Sequence, residues 1–318
     1  MDTELIIFVL GTSLAAGTSL AFATIGEIIT ERSGILNLGV EGIMIMGAVT
    51  GFAAALHSDS AWIGVLIALV VGAAMGLIHA ILTITLRAEQ VVTGLALTLA
   101  GTGLASFLGQ KLGPGGMPLV GLSGPKFEDI EVPLLSEIPV IGPTVFSQDI
   151  LVYLMYVVAI ASWFYIFRTR AGLHLRAVGE NPQTADAMGV DVIRLRYAYT
   201  IVGAMLIALG GAHLSLARLE GWTENLTGGR GWIAVALVIF SAWNPARAVF
   251  GALLFGSINA VQFRLQATGT TIPSSLLNMM PYLLTVVIAV VITWIQRYNR
   301  RIGAPAALAL PYNREERT

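Results

Sequence analysis

The run RTRAGLHLRAVGENPQTADAMGVDVIRLR, from Arg168 to Arg196, separates two long apolar stretches of the chain. It is polar and carries five arginines. Within it, Asn181 can cap the N-terminus of a helix, and Pro182 suits the first helical position, where no backbone N–H is needed. Gly189 can end such a helix with a positive φ. The run therefore predicts a helix of roughly two turns that packs against a partner, because a lone helix this short is unstable in water. An ordinary surface helix is the alternative.

The apolar stretches on both sides set the fold class. Hydrophobic residues make up 56% of the chain and charged residues only 12%, with a mean hydropathy of +0.78. A soluble domain carries about 25% charged residues. Several apolar runs reach the roughly 20 residues that a helix needs to cross a bilayer, and isolated strands cannot satisfy their backbone in lipid. The composition predicts an all-α polytopic membrane protein, with residues 1–318 forming a single transmembrane domain.

Apolar runs of suitable length predict eight to ten membrane spans. The candidates are residues 5–26, 39–56, 61–86, 91–110, 149–167, 193–217, 232–243 extended by its flanks, 247–266 and 279–297. The N-terminus lacks the basic residues of a cleavable signal, so the first run is expected to remain as a span.

Arginine placement predicts the orientation of these spans. If the loop at residues 168–192 faces the cytoplasm, alternation puts the other basic segments on that side too. They are Arg32, Arg87, Arg247 and the tail 298–318, and with the loop they hold most of the 18 basic residues. The prediction is a multi-pass protein of the cell membrane with its N-terminus outside and its C-terminus in the cytoplasm.

The longest other non-membrane stretch, residues 111–148, is rich in proline and glycine. These residues block long helices and favour turns. Alternation places the stretch outside, where we expect a cap that helps receive an external partner. A passive linker is the alternative.

The chain also suggests an internal repeat, with residues 1–110 and 193–297 as its halves. Each half has a long apolar span followed by a polar, glycine-rich break, at Glu27–Gly39 and at Glu220–Gly231. An odd number of spans separates the halves, so their topologies would be opposite. Inverted repeats with broken helices that meet near the membrane midplane are a recurrent transporter design. Two ordinary loops are the alternative.

Polar residues inside the predicted spans are costly unless they are paired or line a cavity. The candidates for a substrate pathway are Asn37, Glu41, Asn225, Arg230, Trp232, Asn259 and Gln262. Such side chains supply the amide and aromatic groups that a small polar solute needs. Alternatively, they hold helices together through hydrogen bonds. Glu41 is the only fair candidate for a buried acidic residue that could carry a proton or coordinate Na⁺, and Arg87 and Glu89 are expected to pair at the membrane edge.

No catalytic or metal-binding pattern is visible. The four histidines lie far apart without ligand spacing, and the chain has no cysteine. It also has no glycine-rich loop followed by Lys-Ser or Lys-Thr, so it cannot cradle ATP phosphates by itself. The net charge of −1 gives no signal for nucleic-acid binding. We expect a protein that is not an enzyme and binds no cofactor.

Three stretches carry a family resemblance. They are Arg176–Pro182 followed by Ala185, Ala187 and Gly189; Glu31–Gly42; and Gly229–Ala234 continuing to Trp243–Pro245. Together they resemble the permeases of ABC transporters, in the family that handles branched-chain amino acids and simple sugars, and within it the nucleoside-type importers.

The resemblance implies a set of partners. A cytoplasmic ABC ATPase, which binds the ATP and Mg²⁺, would dock on the 168–192 loop. A second permease subunit, identical or different, would complete the pore, and an external substrate-binding protein, often a lipoprotein, would deliver the solute. The implied coupling residues are Gly179, Glu180, Asn181, Pro182, Ala185 and Gly189. Of these, Ala185 is expected to allow close approach to the partner's groove.

The predicted function is therefore the permease subunit of an ABC importer, with nucleosides as the favoured substrate. Simple sugars and branched-chain amino acids are alternatives. An ion-coupled secondary transporter is an alternative from another class, since it would also show broken helices and inverted repeats. A membrane-embedded enzyme would need convergent polar groups that the sequence does not offer.

Overall fold

The computed structural model describes residues 3–219, 221–268, 272–298 and 303–313. Apolar runs form its long helices. In chain order the helices are α1 (Thr3–Arg32), α2 (Val40–Ser58), α3 (Ala61–Ala80, continued by a π-helical turn Ile81–Thr85), α4 (Gln90–Gly109), α5 (Ile141–Val145), α6 (Ile150–Arg168), α7 (Arg170–Glu180), α8 (Pro182–Ala187), α9 (Val192–His213, continued by a π-helical turn Leu214–Arg218), α10 (Arg230–Phe240), α11 (Pro245–Ala267), α12 (Ser274–Asn278) and α13 (Met280–Tyr298). A short antiparallel hairpin pairs β1 (Asp129–Glu131) with β2 (Ser147–Asp149).

Within the described ranges, seven helices are long and apolar enough to cross a membrane, and two shorter apolar helices lie at Arg230–Phe240 and Ser274–Val287. The polytopic, helical fold class is thereby confirmed. Each of the nine predicted spans coincides with one of these helices. The first boundary was wrong by six residues, because α1 continues beyond residue 26 to Arg32.

The centre of the bundle is the contact of α1, α2 and α9, where small residues let the backbones approach closely. A Cβ added at Gly26 of α1 would meet the carbonyl oxygen of Gly203 in α9, and one at Gly203 would meet that of Gly26. Likewise, Gly211 of α9 lies against the carbonyl oxygen of Met44 in α2. Larger side chains at these glycines would push the helices apart.

The basic run holds two helices where the sequence predicted one. The predicted helix is present as α8: the side chain of Asn181 accepts a hydrogen bond from the backbone nitrogen of Thr184 at 2.9 Å, and Gly189 has φ +83°. Before it, α7 buries one face through Gly172, Leu175 and neighbouring small and apolar residues. The many charged residues of α7 hid this amphipathic helix in the sequence.

The stretch at residues 111–148 forms no long helix, as its prolines and glycines predicted. It contains a single 3₁₀ turn (Pro114–Gly116), the five-residue α5 and the hairpin. Val120 forms a β-bridge with Trp222, so the stretch lies on the connection between α9 and α10. Its expected role as a receiving cap stays a prediction.

Candidate functional site

The start of α2, which follows the first predicted break, lies against the second predicted break. The first break, residues 33–39, joins α1 to α2, and the second break, residues 219–229, joins α9 to α10. Residue Glu220 of the second break lies outside the described residues. Both breaks interrupt apolar helices, and at such positions a non-helical backbone needs protein partners for its polar groups. The hydrogen bonds across this junction therefore identify the candidate site.

Glu41, in the first turn of α2, makes the principal contact with the second break. Its carboxylate accepts hydrogen bonds from the backbone nitrogens of Gly229 at 2.9 Å and Gly231 at 2.6 Å, and from the hydroxyl of Thr227. It is 5% exposed. The N-terminus of α10 offers unpaired N–H groups and a positive dipole end, which favour an anion. Glu41 therefore caps a helix that belongs to the other half of the chain.

Glycines of the second break allow this approach. Gly229 has φ +83°, which favours a residue without a Cβ. A Cβ at Gly231 would lie 2.5 Å from both the Cα and the nitrogen of Glu41. The spacing Gly229-x-Gly231 is thus a physical requirement of the Glu41 cap.

Arg230 closes the second break on itself. Its Nη1 donates to the carbonyl oxygens of Leu226 at 3.3 Å and Thr227 at 3.1 Å. The hydroxyl of Tyr282, in α13, donates to the carbonyl oxygen of Gly228 at 2.6 Å. The positive charge of Arg230 interacts favourably with the Glu41 carboxylate. The junction therefore contains one cationic and one anionic side chain in a largely buried setting.

Asn37 shapes the first break. Its Oδ1 accepts from the backbone nitrogen of Gly39 at 2.9 Å, and its own backbone nitrogen donates to Oε1 of Glu27 at 3.0 Å. The backbone nitrogen of Leu36 donates to Oε1 of Gln90 at 2.7 Å. The carbonyl oxygen of Leu36 lies 3.0 Å from Nε2 of His79. Within the described residues, Nδ2 of Asn37 and Oε2 of Glu27 have no hydrogen-bond partner. The break therefore holds polar groups beyond those that its own turn uses.

Of the remaining predicted pathway residues, two lie at the second break and two lie in α11. Asn225 is exposed with φ +57°, and Trp232 is 39% exposed. In α11, Asn259 donates to the carbonyl oxygen of Phe255, one turn earlier, and Gln262 donates to the side chain of Asn278 in α12. The structure thus bonds Glu41 to the backbone on both sides of Arg230 and places Asn37 four residues before Glu41. It does not place the other four in direct hydrogen bonds with them.

Two buried acidic residues were missed. Glu27 is fully buried and Glu31 is 2% exposed, so the expectation that Glu41 is the only fair candidate for a buried acidic residue was wrong. They were missed because the first span was predicted to end at residue 26. The spacing of four residues, which places both carboxyls on one helix face, was the signal available in the sequence. Glu31 accepts a hydrogen bond from the indole nitrogen of Trp243.

Arg32 connects the C-terminal end of α1 to the turn between α10 and α11. Its Nε and Nη2 donate to the carbonyl oxygen of Trp243 at 3.1 and 3.0 Å. Ala242 and Trp243 both have positive φ, which makes this turn tight.

The expected pairing of Arg87 with Glu89 was wrong. Glu89 caps α4, while Arg87 donates to Asn313.

The predicted coupling residues divide into inward-facing and outward-facing ones. Gly179 lies against the carbonyl oxygen of Arg32, where a Cβ would not fit, and Pro182 is buried. Ala185 is 3% exposed and packs against Val178, Val192 and Tyr312 of the same chain. It therefore does not present its side chain to a partner's groove, and that expectation was wrong, because a helix of six residues is too short to show from sequence which face is buried.

The outward-facing coupling residues are Glu180, Asn181 and Gly189. Four further residues share the exposed side of α8 and its C-terminal end, which we call the α8 outer face. They are Gln183, Thr184, Ala187 and Met188. Met188 is 80% exposed.

A cavity of about 480 Å³ lies at the other end of the bundle, between α1, the end of α9 and the hairpin. Its charged lining includes Asp129, Asp149 and Arg218. Asp149 caps α6 through the backbone nitrogens of Leu151 and Val152 and lies 3.4 Å from Nε2 of His213. Burial and the neighbouring Asp149 raise the pKa of Asp129. Burial also opposes ionisation of Asp149, but its bonds to His213 and the two backbone amides outweigh burial and lower its pKa. The cavity is therefore polar and carries both signs of charge.

Across the described part of the chain, no group of three or more His, Asp or Glu side chains is arranged to hold a metal ion. The polar junction and the cavity offer hydrogen bonds rather than a nucleophile with its base.

Known proteins are similar to this chain over most of its length. The sequence profile of the family described as "Branched-chain amino acid transport system / permease component" matches residues 9–298. The chain is 37% identical to the "Putative glucose ABC transporter permease protein TsgC13" of Haloferax volcanii, over 96% of this chain and 97% of that protein. It is 37% identical to the "Nucleoside ABC transporter permease protein NupC" of Lactococcus lactis, over 88% and 90%. It is 32% identical to the "Guanosine ABC transporter permease protein NupQ" of Bacillus subtilis, over 99% of each.

A solved structure shares the fold. It is described as "An inward-facing conformation of a putative metal-chelate type ABC transporter" and aligns with a TM-score of 0.52 at 16% identity, covering 89% of this chain and 84% of that one. The family match and the identities above 30% over nearly the whole length settle the family, and its members are transport subunits rather than enzymes. This chain belongs to the ABC transporter permeases of the branched-chain amino acid transport system family.

Proposed function

We propose that this permease subunit imports nucleosides, using ATP that a cytoplasmic partner hydrolyses. The proposal rests on the relatives named as nucleoside and guanosine permeases, which match over 88% and 99% of the chain. A second permease subunit would complete the pore, and an external substrate-binding protein or lipoprotein would deliver the nucleoside. The N-terminus would lie outside and the C-terminus in the cytoplasm, as the arginine pattern predicts.

The observation that carries the coupling mechanism is the contact of Gly179 with the carbonyl oxygen of Arg32. It joins α7 directly to the end of α1. From there, the guanidinium of Arg32 reaches the carbonyl oxygen of Trp243. A push on α7 and α8 would therefore act on α1 and on the turn before α11 together.

The ATPase is proposed to dock on the α8 outer face. Closure of the ATPases would move α7 and α8, tilt α1, and shift the junction at which Glu41 caps α10. Such a change is a rigid-body switch between two packed arrangements, the usual form of alternating access. Asn37, Glu41 and Arg230 supply the polar groups at that junction, and they are the residues that we propose to line the pathway.

Competition for uptake tests the substrate. The permease is reconstituted in vesicles with its ATPase and binding protein, and uptake of radiolabelled guanosine is measured against excess unlabelled nucleosides, glucose or leucine. We expect nucleosides to compete and the other solutes to leave uptake unchanged. Uptake of glucose, with no uptake of guanosine, would support the second candidate, a sugar permease. That candidate is favoured by the relative named for glucose, which is 37% identical over 96% of this chain.

An ion-coupled carrier remains the candidate from another class. It is favoured by the buried carboxyls of Glu27, Glu31 and Glu41, since buried acids are the groups that carry protons or bind Na⁺ in such transporters. Ionophores distinguish it: collapsing the proton and Na⁺ gradients of ATP-loaded vesicles should leave uptake by an ABC importer unchanged.

A further inference from the structure

The last described segment of the chain, residues 303–313, does not hang free from α13. Pro305, Ala307 and Tyr312 are buried, while the side chain of Leu310 is 55% exposed. A segment with one buried face and few regular hydrogen bonds must be held by its neighbours. We call this segment the C-terminal strap.

The strap binds the coupling helices through its backbone. The nitrogen of Ala307 donates to the carbonyl oxygen of Gly179 at 2.9 Å, and the nitrogen of Ala306 donates to Oε2 of Glu180 at 3.2 Å. Pro305 lies beside Gly179, 3.3 Å from the position of an added Cβ. The end of α7 is thus covered by the strap on one side and by α1 on the other.

The same strap binds the first break. Two residues after Ala307, the nitrogen of Ala309 donates to the carbonyl oxygen of Gly34 at 3.1 Å. Gly34 has φ +90°, and a Cβ there would meet the guanidinium of Arg196 at 2.8 Å and the carbonyl oxygen of Ala307 at 3.2 Å. The strap therefore joins, within three residues, the coupling helices to the break that leads into α2.

Arg196 ties this joint to α9. It is 2% exposed, and its Nε donates to the carbonyl oxygen of Ser33 at 3.2 Å while its Nη1 donates to that of Leu310 at 3.3 Å. Its guanidinium lies 5.9 Å from the ring centroid of Tyr312, within the range of a cation–π contact. A buried guanidinium needs such partners, and two of them, Leu310 and Tyr312, belong to the strap.

Tyr312 completes the connection by its side chain. It packs in one cluster with Val178 of α7, Ala185 of α8 and Val192 of α9. The strap thus contacts α7, α8, α9 and the first break.

We propose that the C-terminal strap is a positioning element for transport: it fixes α7 and α8 to the first break and to Arg196, so that their movement reaches α2. The proposal rests on the proposed function, in which the ATPase moves α7 and α8. A tail that merely anchored the fold would lower all activities together, whereas a coupling strap sets the amount of solute moved for each ATP hydrolysed.

Two truncations of the full transporter test the strap. One ends the chain at residue 302 and removes the strap, and the other ends it at residue 313 and removes only residues 314–318. Permease content of the membrane, co-purification of the ATPase, ATP hydrolysis and uptake are measured for both. We expect the chain ending at 302 to retain the ATPase but to lose about tenfold in uptake per ATP, a coupling change of the size known for residues between sites. The chain ending at 313 should match the full chain.

A matched pair of substitutions decides the matter if the shorter chain does not accumulate. Tyr312→Ala removes the buried ring, and Leu310→Ala removes an exposed apolar side chain from the same strap. We expect uptake per ATP to fall for Tyr312→Ala only. An unchanged ratio of uptake to ATP hydrolysis in the truncated chain would overturn the proposal, even if both activities fell in proportion. If that chain does not accumulate, an unchanged ratio in Tyr312→Ala would overturn it. Uptake by the full chain without any ATPase would instead contradict the proposed function itself.

Discussion

The carboxylate of Glu41 lies 2.6 Å from the backbone nitrogen of Gly231, although 190 residues separate the two in the sequence. This bond attaches the start of α2 to the start of α10. Each of these helices follows a break in an apolar stretch. The junction thus depends on one buried acid and on the glycines that admit it.

Replacing Glu41 with Gln tests the junction. The amide keeps the size of the side chain but has one acceptor oxygen for three donors, so the backbone nitrogens near Gly231 lose a charged acceptor. Hydrogen bonds to charged groups contribute about 1.5–3 kcal/mol each. We expect lower thermal stability in detergent and at least about tenfold less uptake, which corresponds to about 1.4 kcal/mol. Glu224→Gln, which makes the same change at an exposed position of the second break, is the control. Full uptake by Glu41→Gln would remove Glu41 from the pathway.

Gly203→Ala tests the close contact of α1 and α9. The added Cβ would meet the carbonyl oxygen of Gly26 and the side chain of Thr30, so the two helices must separate. We expect a loss of stability of about 1–3 kcal/mol, the usual cost of overpacking. The matched control is Gly103→Ala in α4, where nothing lies within 4 Å of the added Cβ and a helical alanine stabilises slightly. Equal thermal unfolding curves for the two variants would contradict this packing.

Met188→Asp and Ala185→Arg separate docking from folding. Met188 is 80% exposed and Ala185 is 3% exposed. We expect Met188→Asp to leave the permease stable but to abolish co-purification of the ATPase. Ala185→Arg should disrupt the packing of α8 and make the loop sensitive to protease. If Met188→Asp retained the ATPase, the α8 outer face would not be the docking surface.

The lowered pKa of Asp149 predicts that part of the protein's stability is lost in acid. Because the pKa of Asp149 is lower in the folded chain, the unfolded chain binds a proton more readily as pH falls. The stabilisation is present above the unfolded value of about 3.9 and is lost below it, as pH falls through the folded pKa. Asp149→Asn should therefore be less stable than the parent at neutral pH, and the difference should shrink as the pH falls below about 4.

Thermal unfolding of the detergent-solubilised protein between neutral and acid pH measures this effect. Glu137→Gln, at an exposed position in the stretch 111–148, is the control and should follow the parent curve. A difference between Asp149→Asn and the parent that is constant with pH would mean that Asp149 acts through its cap geometry alone.

Local signals explain which parts of the fold the sequence could predict. The caps at Asn181 and Gly189 act within one or two turns, so α8 was predicted with its ends. Apolar runs of sufficient length likewise revealed the spans. The charged residues of α7 concealed its apolar face, and the side on which Ala185 packs could not be read from a six-residue helix.

Non-local contacts explain what was missed at the site. Glu41 was recognised as a candidate, but its acceptors in the second break depend on how α2 and α10 pack. Glu27 and Glu31 were missed because a span was expected to end before them, and Arg196 appeared as one more basic loop residue. Its partners, at Ser33 and Leu310, are 163 and 114 residues away in the chain. Such pairings arise from tertiary packing, which no periodicity records.

ATP dependence of uptake tests the central claim most directly. Vesicles containing the permease, with and without the ATPase, are loaded with ATP or with a non-hydrolysable analogue, and guanosine uptake is measured in the presence of ionophores. We predict uptake only with both the ATPase and hydrolysable ATP. Uptake that proceeds without the ATPase, or that stops when the ion gradients collapse, would contradict a pore driven through α7 and α8.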